Sequence, residues 1–424
     1  MDYVIVGNSA AAIGAIEGIR SVDAEGKITL FSDEPYHTYS RPLISYYLYG
    51  KVMADKMYYR DLDFYTKNRV DAHLGTKVVS LQLTDQELTL NSGEKVGYDR
   101  LLLATGGKPI VPPLIGRELA GVSTFLKWDD VKALAETLEP GAHVVVIGAG
   151  LIGLKATEAL VNRGAVVTVV ELANRVLSAI LDETAAGMVQ ESLENKGVCF
   201  ELQNTVEEIL GDGRVTSVRL QSGKIVGCEQ VIIAIGVSPN HALAQNTEIE
   251  IRRGIVVDEH MATSVANVYA AGDVAEGYDI IYRQHRVLPI LPNAYKQGFN
   301  AGVNMAGRSA EYRGGLAMNS IGFFGLAMIT AGIVQSGPEY AELVDIDYEQ
   351  SKYKKIVLRE NKIVGFITLN QVDRAGILTG LMEKEVDVSE FQELLLKEDF
   401  GYVDLPAQYR QTEMLKEGIR HERD

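Results

Sequence analysis

A short apolar run from Tyr3 to Val6 leads into a turn of small residues, a stretch rich in alanine, glycine and isoleucine from about Ala10 to Arg20, and a second apolar run, Ile28 to Phe31. Runs of this length bounded by small-residue turns predict strand, helix and strand in succession. The same succession returns at His143 to Ile147, the turn Gly148 to Gly153, a helix reaching about Arg163, and Val166 to Val170. Two βαβ units imply two doubly wound modules rather than one.

The stretches between them are of another kind. Val78 to Val96 has the turn-punctuated pattern of hairpins. Tyr98 to Gly107 contains the buried run Leu101-Leu102-Leu103-Ala104 and precedes the link Pro109-Ile110-Val111-Pro112-Pro113. A second run of that flavour, Val231 to Gly236, exits through Ser238-Pro239. These paired exits mark two crossings of the chain between modules. The last hundred residues change again, with strands at Lys355 to Leu358 and Ile363 to Leu369 around Glu360-Asn361-Lys362, and a helix at Glu390 to Lys397. The expected fold is α/β, with two doubly wound, Rossmann-like three-layer domains and a small α+β carboxyl-terminal domain.

At 424 residues the chain exceeds what one core organises, in keeping with about three domains. A formal net charge of −16 argues against a nucleic-acid binder or an anionic-membrane binder, since both set basic surfaces against phosphate. With only Cys199 and Cys228, neither a disulfide framework nor a CxxC pair is available, and both thiols read as reduced core residues. The start Met1-Asp2-Tyr3 has no basic region ahead of its apolar run, so no secretory signal is read there and a cytoplasmic setting is expected. No charge lies between Arg313 and Glu339, a length that could span a bilayer. Asn319, Ser320, Gln335 and repeated glycines favour short buried strands there instead.

The chemistry sits in the turns. Gly148-Ala149-Gly150-Leu151-Ile152-Gly153 is a full GxGxxG between an apolar strand and a helix. Gly148 permits the sharp turn, Gly150 lets a pyrophosphate approach the backbone, and Gly153 lets helix pack on strand, while the helix amino terminus favours the anion. Glu171 ends the next strand, where a carboxylate accepts from ribose hydroxyls. It would repel a 2′-phosphate, so NADH is favoured over NADPH, with Arg175 four residues on as the opposing signal. The turn Gly7-Asn8-Ser9-Ala10-Ala11-Ala12 keeps only the first glycine. Ser9 and Ala12 are the smallest replacements at the other two places, and Glu34, beside Asp33, stands where a ribose partner belongs.

Asn267-Val268-Tyr269-Ala270-Ala271-Gly272-Asp273-Val274, together with Ala104-Thr105-Gly106 and Ala234-Ile235-Gly236-Val237-Ser238-Pro239-Asn240, resembles the two-dinucleotide-domain flavoproteins of the pyridine nucleotide-disulfide oxidoreductase superfamily. Tyr39-Ser40-Arg41-Pro42-Leu43, Leu291-Pro292-Asn293-Ala294 and Tyr402-Val403-Asp404-Leu405-Pro406 look most like rubredoxin reductases, ferredoxin reductases and the flavin module of NADH-dependent nitrite reductase. The resemblance implies FAD at the Gly7 turn, with Gly272 and Asp273 at its ribityl and pyrophosphate region and Arg41 near the flavin and its diphosphate. Pro42, Val78, Ala104, Thr105, Gly106, Asn293 and Ala294 belong to the same site by that resemblance, and Ile235 and Gly236 to the nicotinamide side. The implied domains are 1–112 and 239–315 for FAD, 113–238 for NAD(H), and 316–424 as an interface domain.

Departures from the family pattern narrow the activity. Disulfide reductases of this kind keep cysteines beside the flavin, but here no cysteine precedes Cys199, so the flavin is expected to pass electrons onward directly. Where many relatives carry a lysine on the loop and a glutamate on the helix after the second turn, this chain has Tyr46 and Lys155. Lys155 is therefore expected to tune the flavin. The implied acceptor is a small rubredoxin or iron-sulfur carrier. A dioxygen-reducing NADH oxidase, and a flavoprotein subunit of a larger complex such as a nitrite reductase, remain open beside it, as does a homodimer. Lys352, Lys354, Lys355 and Arg359 form one basic cluster, expected to be a solvated strand edge.

Overall fold

The structure, a computed structural model, describes residues 1–407, 409 and 410. It divides into two compact units, one of residues 1–172 and 197–317 and one of residues 173–196 with 318 onward.

The first unit holds two five-stranded parallel sheets with the same plan. In one, Asp2–Val6 lies between Lys27–Ser32 and Arg100–Leu103, with Val70–Leu74 and Val268–Ala270 at the edges. In the other, His143–Ile147 lies between Val166–Glu171 and Gln230–Ile233, with Cys199–Leu202 and Val122–Thr124 at the edges. Val4, Ile5, Val144, Val145 and Val146 are all buried. Parallel strands covered on both faces need such unbroken apolar runs. Each module also carries a three-stranded antiparallel insert, Val78–Gln82 with Glu87–Leu90 and Lys95–Gly97, and Val206–Asp212 with Arg214–Leu220 and Ile225–Gly227. The two expected crossings pair with each other as antiparallel strands, Gly107–Pro109 against Val237–Pro239.

The helix Ala10–Arg20 follows the first turn and packs on the helix Leu291–Met305 at backbone distance. A β-carbon at Gly298 or Gly302 would overlap the carbonyl oxygen of Ala11 or Ala15. The small residues along Ala10 to Gly18 thus serve a helix crossing as well as a turn.

The second unit is an antiparallel sheet in the order Met318–Phe323, Leu326–Gly332, Lys362–Leu369, Lys352–Arg359, Ala341–Asp347, accompanied by the helices Ala375–Glu383 and Glu183–Glu194. The uncharged stretch forms its first two strands, and among the described residues no helix is long and apolar enough to cross a membrane.

Three expectations need correction. Cys228 is buried, and burial pushes its thiol up to about 12, but Cys199 is exposed because it sits at the start of an edge strand. The lysine cluster is on an inner strand, not an edge. Lys354 places its ammonium on the carbonyls of Leu395, Leu396 and Lys397, and Lys355, 2% exposed, lies between Asp182 at 3.3 Å and Glu342 at 3.2 Å. Buried ammonium groups need such partners. The late helix is a single 3-10 segment, Gln392–Leu396.

Candidate active site: two dinucleotide cradles

The two turns are built alike. Gly7 (φ +121°) and Gly148 (φ +108°) both lie in the left-handed region, where a side chain is strained, and a β-carbon on either would run into the carbonyl of Ala104 or Ala234. Their amides close the turns onto the neighbouring strand, Gly7 N–H to Phe31 O and Gly148 N–H to Val170 O, both 2.8 Å. Gly153 backs onto the Gly148 carbonyl with no room for a methyl, whereas a β-carbon on Gly150 would meet nothing within 4 Å. That open face at the start of the helix Leu151–Asn162 is where an anion can approach the free N–H groups at the helix end, with Leu151 and Ile152 in its first turn. Glu171 reaches back so that Oε2 accepts the Ala149 amide at 2.6 Å, which fixes the carboxylate at the turn. Ile235 and Gly236 (φ +136°) close the other side, Ile235 being exposed.

Around the first turn the structure gathers distant pieces. A β-carbon on Gly272 (φ +83°) would lie 3.1 Å from Ala11 Cβ and 3.5 Å from Ala294 Cβ, and the Gly272 amide donates to Gln297 Oε1 at 2.8 Å. Asn293, in the first turn of the same helix, donates to Leu316 O at 3.1 Å. Asp273 follows Gly272; burial pushes its carboxyl up to about 6, opposed by the Arg41 guanidinium. Thr105 donates to Asn240 O at 2.7 Å, and Gly106 O accepts from the Asn240 amide, so the two crossing segments are locked together. Ser9 caps the first helix with backbone alone, leaving amide groups around Ala10 and Ala12 uncapped by any side chain.

Glu34 is buried, and its carboxylate is shared between Arg41 and Tyr39, whose hydroxyl donates at 2.6 Å. Arg41 also donates to Tyr39 Oη at 3.0 Å and to Leu126 O at 3.3 Å. Val78 is a core residue of the hairpin insert, and Pro42 is exposed. Arg175 lies on the segment grouped with the carboxyl-terminal sheet, donating to Ser178 O and Leu181 O at 3.4 Å and to Gln335 at 3.5 Å. Its guanidinium is thus engaged locally. Lys155 is paired with Glu158 and lies over the Tyr46 ring, 4.7 Å from its centroid.

The sequence alone assigned no role to Tyr39, which it offered only as part of a motif, or to Trp128 and Gln297. Tyr39 is the hub of the Glu34–Arg41 pair and accepts the Trp128 amide at 3.2 Å. Gln297 could have been found from helical spacing, being four residues after Asn293 on the same face.

The pyridine nucleotide-disulphide oxidoreductase family model matches residues 1–298. The chain belongs to that family. Membership makes it an oxidoreductase of the class that uses FAD and a nicotinamide dinucleotide, and the rubredoxin NAD+ reductase carboxyl-terminal domain matches residues 318–386. Among relatives, the nitrite reductase [NAD(P)H] of Bacillus subtilis is 32% identical over 91% of this chain, which spans about half, 48%, of that protein's length. The rubredoxin-NAD(+) reductase of Pseudomonas putida is 30% identical over 90% of this chain and 98% of its own. Putidaredoxin reductase, solved in covalent complex with putidaredoxin, shares the fold at a TM-score of 0.85 and 24% identity, covering 91% of this chain and 94% of that one.

The residues fit both groups. The open face at Gly150 admits a diphosphate, and the Asp273 carboxyl, costly to ionise where it lies, suits a hydroxyl donor such as those of a ribityl chain.

Proposed function

We infer that the chain takes reducing equivalents from NADH at the Gly148 turn and, with FAD held at the Gly7 turn, delivers them to a small iron-sulfur or rubredoxin-type carrier. The observation that carries this reading is the duplicated cradle, with Gly7 on Ala104 and Gly148 on Ala234, tied through Thr105 and Asn240. When bound, the two dinucleotides supply the hydride and electron chemistry. The chain's own role is to bind and orient them. Residues 1–112 and 239–315 serve the FAD, residues 113–238 the nicotinamide, and 316–424 an interface, of which 408 and 411–424 lie outside the described residues. Gly148, Gly150 and the helix amino terminus receive a diphosphate, and Glu171 receives ribose hydroxyls while disfavouring a 2′-phosphate. Asp273 and Arg41 bracket the ribityl and diphosphate region of FAD, and Lys155 sets the local charge. Cys199 lies on, and Cys228 packs against, the sheet that carries the Gly148 turn, and no cysteine precedes Cys199, which supports an outside acceptor.

A second reading, a flavoprotein subunit of a larger redox assembly in the cytoplasm, is favoured by the 48% span of the nitrite reductase. Stopped-flow mixing separates the two. Fast bleaching of the flavin by NADH, followed by reoxidation that is fast with rubredoxin or ferredoxin and slow in air, supports the first reading. Fast reoxidation by air would instead make the chain an oxidase. Failure of NADH to reduce the isolated holoprotein would leave the assembly role.

A further inference from the structure

The first turn lacks two of the three usual glycines and carries asparagine at its second place. That residue type is a hazard there. An asparagine next to a helix start tends to fold back and hydrogen-bond amides two or three residues on, occupying the donors an anion needs. In this structure the Asn8 side chain faces elsewhere. Its Oδ1 accepts from the Tyr65 hydroxyl at 2.6 Å and its Nδ2 donates to Tyr36 O at 3.1 Å. Tyr65 is buried, its ring packs against His37 at a centroid distance of 4.5 Å and an interplanar angle of 46°, and its oxygen accepts the Thr38 amide at 3.0 Å. Thr38 N–H, the Tyr65 hydroxyl and Asn8 therefore form one directed chain, anchored in the loop that also carries Glu34 and Arg41.

We propose that Tyr65 is a positioning residue for FAD: by holding Asn8 through its hydroxyl, it keeps the amides of the Gly7 turn open to the cofactor's diphosphate. This rests on the reading of that turn as the FAD site. Burial raises the Tyr65 phenol above its ordinary pKa, so the hydroxyl stays a donor at all physiological pH. Without the hydroxyl, the Asn8 carboxamide is released to cap the helix Ala10–Arg20, and cofactor and side chain then compete for the same N–H groups.

The test follows FAD release from the full-length holoprotein through the rise in free-flavin fluorescence, with thermal unfolding of the same samples. Tyr65→Phe keeps the ring and its packing and is expected to speed release about tenfold, the worth of one hydrogen bond to a competing acceptor. Tyr65→Phe combined with Asn8→Gly removes the competitor and is expected to return release close to the wild-type rate. A merely structural tyrosine would not be rescued by deleting Asn8. Unchanged release in Tyr65→Phe, or no recovery in the double variant, overturns the clamp. Wild-type protein that holds no FAD would instead overturn the reading of the turn itself.

Discussion

Lys155 is ion-paired with Glu158 one helical turn later, and both side chains are only 12% exposed. The proposal that Lys155 tunes the flavin therefore concerns an ion pair, and if it holds, the pair's two members act oppositely. Lys155→Met removes the ammonium but keeps the Glu158 carboxylate and is expected to lower the FAD midpoint potential. Glu158→Gln leaves the ammonium and is expected to raise it. One unit charge about 8 Å away at an effective dielectric of 20 is worth about 2 kcal/mol, or about 40 mV on a two-electron couple. Spectroelectrochemical titration of both variants decides: shifts of the same sign, or none, would remove Lys155 from the flavin's surroundings.

Asp273 gives the apoprotein a pH signature. Its carboxyl is pushed from the usual 3.8 to about 6 by burial, with Arg41 opposing. The folded state therefore holds this proton more tightly than the unfolded state does, so the contribution favours folding at low pH and is lost as pH rises through about 6. Asp273→Asn, which never charges, is expected to be more stable than wild type at pH 8 by up to about 3 kcal/mol, with the gap closing near pH 4. Urea unfolding of the deflavinated proteins at the two pH values measures it, and a gap independent of pH contradicts the assignment.

The repeated βαβ pattern is legible in the sequence because parallel strands buried on both faces must be apolar throughout, and Tyr3 to Val6 and His143 to Ile147 both show it. The Gly148 turn is legible because backbone clearance demands glycine at fixed spacing. Long-range pairings are not. Nothing local in Arg41, Glu34 or Tyr39 announces that the three converge, and Lys354 and Lys355 look like surface residues until carbonyls and carboxylates from distant segments are brought to them. Asn8 by itself reads only as a departure from glycine, since its partner Tyr65 lies 57 residues away.

The glycines divide into those that clear backbone and those that do not, and stability should divide with them. Gly298→Ala drives a methyl into the Ala11 carbonyl and must push the helices Ala10–Arg20 and Leu291–Met305 apart, so a loss of about 3 kcal/mol or more is expected, or failure to fold. Gly187 lies within the helix Glu183–Glu194 with nothing within 4 Å of an added β-carbon. Gly187→Ala is expected to stabilise by roughly 0.5–1 kcal/mol. Gly150→Ala should leave the melting temperature in place yet raise the KM for NADH about tenfold or more, because its methyl enters only the space a diphosphate takes. Equal melting and equal KM for Gly150→Ala would displace the nicotinamide from this turn.

The proposed site puts the choice between NADH and NADPH on Glu171 rather than Arg175, and this can be tested. The Glu171 carboxylate is held on the Ala149 amide at the turn, so a 2′-phosphate brought to the same place meets a fixed negative charge. Arg175 offers little relief, since its guanidinium is spent on Ser178 O, Leu181 O and Gln335. Glu171→Gln is therefore expected to narrow the ratio of kcat/KM for NADH over NADPH by about tenfold, the effect of removing roughly 1.4 kcal/mol of repulsion. Arg175→Ala is expected to lower stability through the loosened 175–181 loop and to leave that ratio where it was. A collapse of NADPH turnover in Arg175→Ala would show that the arginine leaves its loop partners to meet the phosphate, and the specificity would then belong to it.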